Sequence, residues 1–361
     1  MIEILDRCDM NCPICLKNFD GGFEFSMKDF KRALGGVLKT ERACQVVNFS
    51  GGEPTLHPLL KDFLRYASDN GVLQTTVSTN GLRLLAEPGL RRLFKETGAI
   101  AALQFDGFTR RAWEFMRGEP ALLEKKLALI KLLEAEGVRY SLVATVAKGV
   151  NDGEIGKITD FFFRSRALTL MFQPLSFTGR ASALDAEKLR LTIPDIVRET
   201  RKSSFIGKDD FNPLPCSHYS CFALAYYLAA EKGQYINLRD FLGREFYLDV
   251  ITNKTLPGLD SSAYGAIKQR IYELWSAADS SSSDQAVLKR IKEILRAIER
   301  DGFSPERALN TGMGSMKAVF IHSFMDAHTM DFGRLVKCCN PYAQADGRLV
   351  PMCAQNVFRQ K

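Results

Sequence analysis

The strongest constraint in this chain is a rhythm: six short strand-like runs alternate with longer helical patterns within the first 190 residues. The strand-like runs fall at 1–5, 46–49, 73–78, 99–105, 140–146 and 168–175. Most are β-branched or apolar, as parallel strands buried on both faces tend to be. Helical patterns occupy 27–38, 59–68, 89–96, 122–136 and 154–164, with Gly71 and Gly137 standing as stop signals behind two of them. Strand–helix units in series need right-handed crossovers, so the pattern predicts an α/β fold, a partial (βα)6 barrel of TIM type. Chemistry in such barrels belongs to the loops that follow the strands, and the polar and glycine-rich clusters fall there.

The rhythm breaks near residue 190, which divides the chain into a barrel segment, 1–190, and a cysteine-rich C-terminal region, 191–361. The C-terminal region reads as a helix at 192–202, a Pro-flanked Cys216 and Cys221 pair, and a helix-like run at 222–232. The serine run 280–283 reads as a flexible link or as a cap for an amphipathic helix at 285–300. That helix carries Val287, Leu288, Ile291, Ile294, Leu295 and Ile298 as one apolar stripe. Packing against the body is a commoner fate for such a stripe than membrane contact.

With 361 residues, 46% of them hydrophobic, the chain can bury a large core. Its net charge of +7 suits an anionic substrate or a membrane surface. No basic run with interleaved aromatics appears, which argues against nucleic-acid binding. No apolar run approaches the ~18–20 residues of a membrane span, and no signal peptide precedes the first strand. A cytoplasmic location is therefore expected. There, nine cysteines point to metal ligation rather than disulfides, in a reducing and low-oxygen setting.

Cys8, Cys12 and Cys15 form a C-x3-C-x2-C run directly behind the first strand. Three thiolates can hold three irons of a cuboidal iron–sulfur cluster and leave the fourth without a protein ligand. Structural clusters and zinc sites are normally closed by four protein ligands. An open iron therefore implies that a small molecule completes the coordination. One βα unit later, Gly51-Gly52-Glu53-Pro54-Thr55 follows the second strand. The glycines allow close backbone approach to a ligand, Glu53 supplies an acceptor, and Pro54 ends the strand. Further polar clusters end later strands: Ser78-Thr79-Asn80-Gly81, Gln104-Phe105-Asp106-Gly107 and Asn151-Asp152. Singly, Asn80-Gly81 is a turn and Asp106 or Asp152 a helix cap. Their joint position on one rim favours a site, and Gln104, polar within an apolar strand, is the preferred contact.

The paired signature resembles the radical SAM superfamily over residues 1–190. That resemblance implies a [4Fe–4S] cluster on Cys8, Cys12 and Cys15. S-adenosyl-L-methionine would bind the open iron, and one-electron cleavage would yield a 5′-deoxyadenosyl radical. It also implies cofactor contacts from Gly51, Gly52, Glu53, Pro54, Ser78, Asn80, Gln104, Asp106 and Asn151. Ile14 departs from the family, which often has an aromatic residue there.

The other cysteines suggest a second site. Two pairs far apart, Cys216 with Cys221 and Cys338 with Cys353, can converge on one four-thiolate centre. Zinc would satisfy the same ligand count but ranks below iron–sulfur in a chain that already depends on cluster assembly. Cys44 reads as a buried thiol, Cys339 fits the spacing less well than Cys338, and His218 and His322 read as structural. His322-Ser323-Phe324-Met325-Asp326, Arg334, Cys338, Asp346-Gly347-Arg348 and Cys353, with Gln104-Phe105-Asp106-Gly107 and Arg117-Gly118, resemble one branch in particular. It holds the archaeal tetraether lipid synthases and the class D radical SAM methylases. The likeness implies an auxiliary [4Fe–4S] cluster on Cys216, Cys221, Cys338 and Cys353.

From that branch the expected activity is hydrogen abstraction from an unactivated C–H bond of a lipid chain, then carbon–carbon coupling. Methylation or other modification of a small molecule such as a pterin, or peptide maturation, are the alternatives. Expected partners are a small-molecule or lipid substrate, a reductant such as ferredoxin or flavodoxin, and peripheral membrane contact. Phe161, Phe162, Phe163, Phe172 and Phe177 could line an apolar tunnel, though core packing is the commoner role. A long apolar tunnel would indicate lipid, a short polar pocket a small molecule, and an exposed strand edge a peptide.

Overall fold

The computed structural model describes residues 1–18, 22–41, 44–214, 217–230, 233–251, 261–277, 282–300 and 302–358. Six strands follow the expected rhythm: β1 Ile2–Leu5, β2 Val46–Gly51, β3 Gln74–Thr79, β4 Ile100–Gln104, β5 Tyr140–Val146 and β6 Thr169–Pro174. Each pairs in parallel with the next. Helices Met27–Thr40, Leu60–Asp69, Pro88–Thr97, Leu122–Glu136 and Ile155–Arg164 make the crossovers, joined by Arg110–Arg117, which the periodicity does not reveal. Ser26 and Asp29 form a capping box at the start of the first, and Gly137, at φ +70°, ends Leu122–Glu136.

Beyond residue 190 the sheet continues through β7 Asn212–Pro213, β8 Phe222–Ala229, β9 Tyr235–Asn237, β10 Met316–His322, β11 Pro341–Ala343 and β12 Leu349–Pro351. The strand order is β12-β11-β1-β2-β3-β4-β5-β6-β10-β8-β7, with β9 on β8. β10 runs parallel to β6 as a seventh barrel strand, and β8 lies antiparallel beside it. At the other edge β11 runs parallel to β1 and carries β12 antiparallel. The helix expected at 222–232 is thus a strand over most of its length. Its near-continuous apolar run, Phe222-Ala-Leu-Ala-Tyr-Tyr-Leu, is what a strand buried on both faces looks like.

Strand alternation sorts the side chains into two environments. Val47, Phe49, Val77, Ala101, Leu103, Leu142, Ala144, Leu170, Phe172, Val319 and Ile321 face outward into one core beneath the helices. Phe162 and Phe163 join the same core and Phe161 packs against it, so these aromatics are packing rather than tunnel. Phe177 belongs to a smaller cluster with Ile14, Met116 and Leu175. The inward positions Asn48, Ser50, Thr76, Ser78, Ala102, Gln104, Val143, Thr145 and Gln173 are small or polar and, with Met171, border an open lumen.

Between β9 and β10 lies a helical insertion comprising Leu238–Leu242, Arg244–Ile251, Ser261–Ala277, Ser282–Glu299 and Pro305–Ser315. Ile291, Leu295 and Ile298 of the amphipathic helix pack with Tyr264, Ile271, Ala308, Leu309 and Leu228. Of the serine run, 280 and 281 lie outside the described residues, whereas Ser282 and Ser283 begin the helix. No helix among the described residues is long and apolar enough to cross a membrane.

Candidate active site

The cysteine loop leaves β1 and folds against the end of β2. The Gly52 N–H donates to the Leu5 carbonyl at 2.9 Å and the Glu53 N–H to the Arg7 carbonyl at 2.8 Å. A Cβ on Gly51 or Gly52 would stand 2.1 Å from the Leu5 or Arg7 oxygen. The glycines therefore admit the cysteine loop itself, and Gly51, at φ +146°, also needs the backbone freedom. On the far side, the Arg180 guanidinium donates to the Cys12 carbonyl at 3.2 Å, and Gly179 lies against Leu16 and Lys17. Cys8 is exposed and Cys12 and Cys15 are half-buried, and all three border one cavity. Burial raises the thiol of Cys15.

Glu53 holds this corner together. Its Oε1 accepts from the Thr55 N–H (3.1 Å), Thr55 Oγ1 (2.7 Å) and Thr79 Oγ1 (2.7 Å), and its Oε2 from the Asn80 N–H (2.7 Å). The carboxylate expected to face a ligand is thus largely committed to the protein, with a lone pair left only on Oε2. Burial raises its carboxyl, against the pull of these donors. Pro54, also buried, opens the single turn Pro54–Leu56. Asn80 is a second tie: its Nδ2 donates to Asp9 Oδ1 at 2.6 Å, inside the cysteine loop, while its Oδ1 accepts from the Leu82 N–H at 2.9 Å.

The expectation for Gln104 is refined by a residue that sequence reasoning missed. Lys126, from helix Leu122–Glu136, is 1% exposed and donates to the Asn80 carbonyl and, at 3.3 Å, to Gln104 Oε1. That contact turns the Gln104 amide so that its N–H groups are available to the lumen. Burial, with Arg117 adding to it, brings the Lys126 ammonium down to about 8. Ser78 Oγ donates to Asn48 Oδ1 at 3.0 Å, and Asn48 Nδ2 to Thr76 Oγ1 at 2.7 Å, so this part of the wall is internally satisfied.

Two expected contacts, Asp106 and Asn151, stand behind the wall instead of in it. Asp106 is fully buried and pairs with Arg117, Nε to Oδ2 at 2.7 Å and Nη2 to Oδ1 at 3.1 Å, while accepting from the Thr145 N–H. Asn151 is 1% exposed, with its side chain bonded to the Asp106 and Thr145 carbonyls and the Ala147 N–H. A polar side chain fully satisfied by backbone has nothing left for a ligand. Asp106 instead delivers Arg117, which borders the cavity beside Cys12 and also donates to Thr145 Oγ1 at 3.2 Å. Burial alone would lower the Arg117 guanidinium, but Asp106 and Cys12 hold it above its ordinary value. The Arg117-Gly118 pair was the signal that could have found it.

These residues open onto a cavity of about 640 Å³ that occupies the lumen. The β2–β6 wall is polar, with Asn48, Ser50, Thr76, Ser78, Gln104, Thr145 and Gln173. The opposite wall is apolar and aromatic, with Leu214, Phe222, Tyr226 and Phe320. Three thiols at the mouth of an open lumen, beside a turn that tolerates no Cβ, fit a cluster with one iron left for a small molecule.

The second cysteine group lies where the two ends of the sheet meet. Cys221 precedes β8, Cys338 precedes β11, and Cys353 follows β12. Arg334 Nε donates to Cys221 Sγ at 3.2 Å, and the Met325 N–H to Cys353 Sγ at 3.3 Å. Burial pushes Cys353 up to about 11, and Cys338 and Cys221 add to the rise as neighbouring charges. Cys216 lies outside the described residues. Among the described residues no three metal-binding side chains gather closely enough for a single ion. A cuboidal cluster places each thiolate on a separate iron and so does not need that spacing. Cys339 borders the cavity, and Cys44 is buried beside Val46.

Residues 2–162 match the family model described as the radical SAM superfamily. Over its full length the chain is 28% identical to a 7,8-dihydro-6-hydroxymethylpterin dimethyltransferase of Methanocaldococcus jannaschii, covering 76% of that protein. It is also 27% identical, over 54% of its length and 50% of the relative's, to an Fe-coproporphyrin III synthase of Methanosarcina barkeri. Among solved structures, Streptococcus suis SuiB bound to S-adenosylmethionine superposes on 55% of this chain and 45% of its own, with TM-score 0.46 and 17% identity.

Proposed function

We propose that this chain, a member of the radical SAM superfamily, abstracts a hydrogen atom from a small heteroaromatic molecule of the pterin class. The superfamily uses a [4Fe–4S] cluster and S-adenosyl-L-methionine; bound here, they would supply the electron and the 5′-deoxyadenosyl radical. Cys8, Cys12 and Cys15 would hold the cluster. Arg117 and Arg180 place two cations beside the cysteine loop. Glu53, Asn80 and Lys126 fix the rim, and Ser78 and Gln104 face the lumen.

The observation that carries this reading is the two-sided lumen. A planar ring rich in donors and acceptors can hydrogen-bond to Gln104, Thr145 and Gln173 while its face lies on Phe222, Tyr226 or Phe320. A plain methylene chain at the level of Gln104 would leave the Gln104 N–H groups buried without partners. The lipid-coupling activity expected from the branch resemblance therefore gives way to a small-molecule substrate. Full-length similarity to a pterin dimethyltransferase supports the same choice.

A second cluster on Cys216, Cys221, Cys338 and Cys353 belongs to the proposal, supported by the shared neighbourhood of the three described thiols. So does a low-potential one-electron donor, such as a ferredoxin or flavodoxin. The direct test is anaerobic incubation of reconstituted protein with S-adenosyl-L-methionine, dithionite and 7,8-dihydro-6-hydroxymethylpterin. Pterin-stimulated 5′-deoxyadenosine that takes up deuterium from deuterated pterin is expected. Deoxyadenosine formation unaffected by the pterin, with no deuterium uptake, would refute the substrate assignment.

A further inference from the structure

The lumen does not end below the proposed ring site. It runs down the whole barrel to the opposite end of the strands, where Val46, Gln74, Ile100 and Leu168 border it. From the level of Ser78 to that of Gln74 is four residues, about 13 Å at strand rise. A TIM-type barrel ordinarily fills that depth with layers of branched side chains. Here Asn48, Thr76, Ala102 and Val143 at mid-depth are too small to do so, and helix Pro305–Ser315 of the insertion borders the bottom.

That helix presents Ala308, Leu309, Gly312 and Met313 to the cavity, with Met316 just after it, one contiguous helical stripe. Gly312 lies within the stripe. Its backbone is not in the left-handed region, and a Cβ built on it meets no atom within 4 Å. Neither conformation nor crowding calls for glycine there, although an interior glycine costs a helix about 1 kcal/mol against alanine. What glycine preserves is empty volume at the bottom of the lumen. Gly314, on the opposite face of the helix and away from the cavity, is equally unhindered.

We infer that the substrate carries an apolar arm that reaches down the lumen to this floor, and that Gly312 sets the length of arm accepted. The inference rests on the pterin-class reading for the head but adds the arm, which that reading does not require. Leu309, Met313, Met316, Ile100, Val46 and Leu168 give the floor its apolar character, and the Gln74 amide N–H groups are already bound to the Thr75 and Gly98 carbonyls.

Two probe series test it on full-length reconstituted protein by equilibrium binding: 6-methyl-, 6-butyl- and 6-octyl-7,8-dihydropterin, and butan-1-ol against octan-1-ol. Wild type and Gly314→Leu should gain affinity with length, by about fourfold per methylene where burial is complete. In Gly312→Phe both series should be flat beyond the butyl member. A wild-type series that does not rise with length, or a Gly312→Phe series that rises like that of Gly314→Leu, overturns the inference. If the methyl pterin does not bind while the alcohols behave as stated, the ring reading falls and the arm stands. If the methyl pterin binds without any gain on lengthening, the reverse holds.

Discussion

At the scale of single residues, the site is held by groups that the sequence marks for a different purpose. Glu53 stands out in the Gly-Gly-Glu-Pro turn as a ligand acceptor, yet four protein donors converge on it and tie β2 to β3. Glu53→Gln should turn the Asn80 N–H toward an amide N–H and leave it unpaired, costing about 1–3 kcal/mol. Chemical denaturation would register that loss, and an unchanged midpoint would return Glu53 to a ligand role. Asp106 and Asn151 were legible as rim residues because they follow strands. Their side chains turn away from the lumen, and no spacing argument reveals that. Lys126 was invisible as a site residue for the complementary reason, and Arg117 was marked only by the resemblance at Arg117-Gly118. Each sits in a charged-looking helical stretch, and only the fold shows that its long side chain passes beneath the rim to Gln104 or Asp106.

At the scale of elements, the strand–helix rhythm was readable because parallel strands covered by helices leave continuous apolar or β-branched runs. The polar inward faces of β2 and β3 did not obscure it, since Val47, Phe49 and Val77 kept the outward alternation. Legibility failed for β8, where a short run buried on both faces looks the same as a helical one. β10 was missed because the stretch 175–315, with β7–β9 and the helical insertion, separates it from β6 in place of a single crossover helix. The junction of β1 with β2 depends on contact too close for any side chain. Gly52→Ala would drive a methyl group into the Arg7 carbonyl and push the turn off the cysteine loop. The expected outcome is loss of iron at the first site with the fold retained, read as iron per chain alongside circular dichroism. Full iron in that variant would show that the close packing does not matter.

At the scale of the whole molecule, the segment after β10 crosses to the opposite edge of the sheet to form β11, carrying Asp326, Arg334, Cys338 and Cys353. Asp326 is fully buried and anchors the start of that crossing: it accepts from Arg190 at 2.9 Å and from the Phe177 N–H at 3.2 Å. Burial disfavours its charge, but these donors and Thr329 outweigh it and hold the carboxyl below its usual range. A depressed carboxyl stabilises the fold at pH values above the unfolded value, about 3.9, and the contribution fades as pH falls through the folded one. Wild type should therefore lose stability on acidification more steeply than Asp326→Asn, as thermal melts between pH 6 and pH 3 would show. Parallel curves would detach Asp326 from acid stability.

The central claim is that Cys8, Cys12 and Cys15 present an open iron to S-adenosyl-L-methionine, and that Cys216, Cys221, Cys338 and Cys353 hold a separate centre. Iron content and 5′-deoxyadenosine, measured together on anaerobically reconstituted wild type, Cys12→Ala and Cys353→Ala with dithionite as reductant, test it most directly. Wild type should cleave the cofactor, Cys12→Ala should form no deoxyadenosine, and Cys353→Ala should lose about four irons per chain while retaining part of the cleavage. Cleavage surviving in Cys12→Ala would contradict the account.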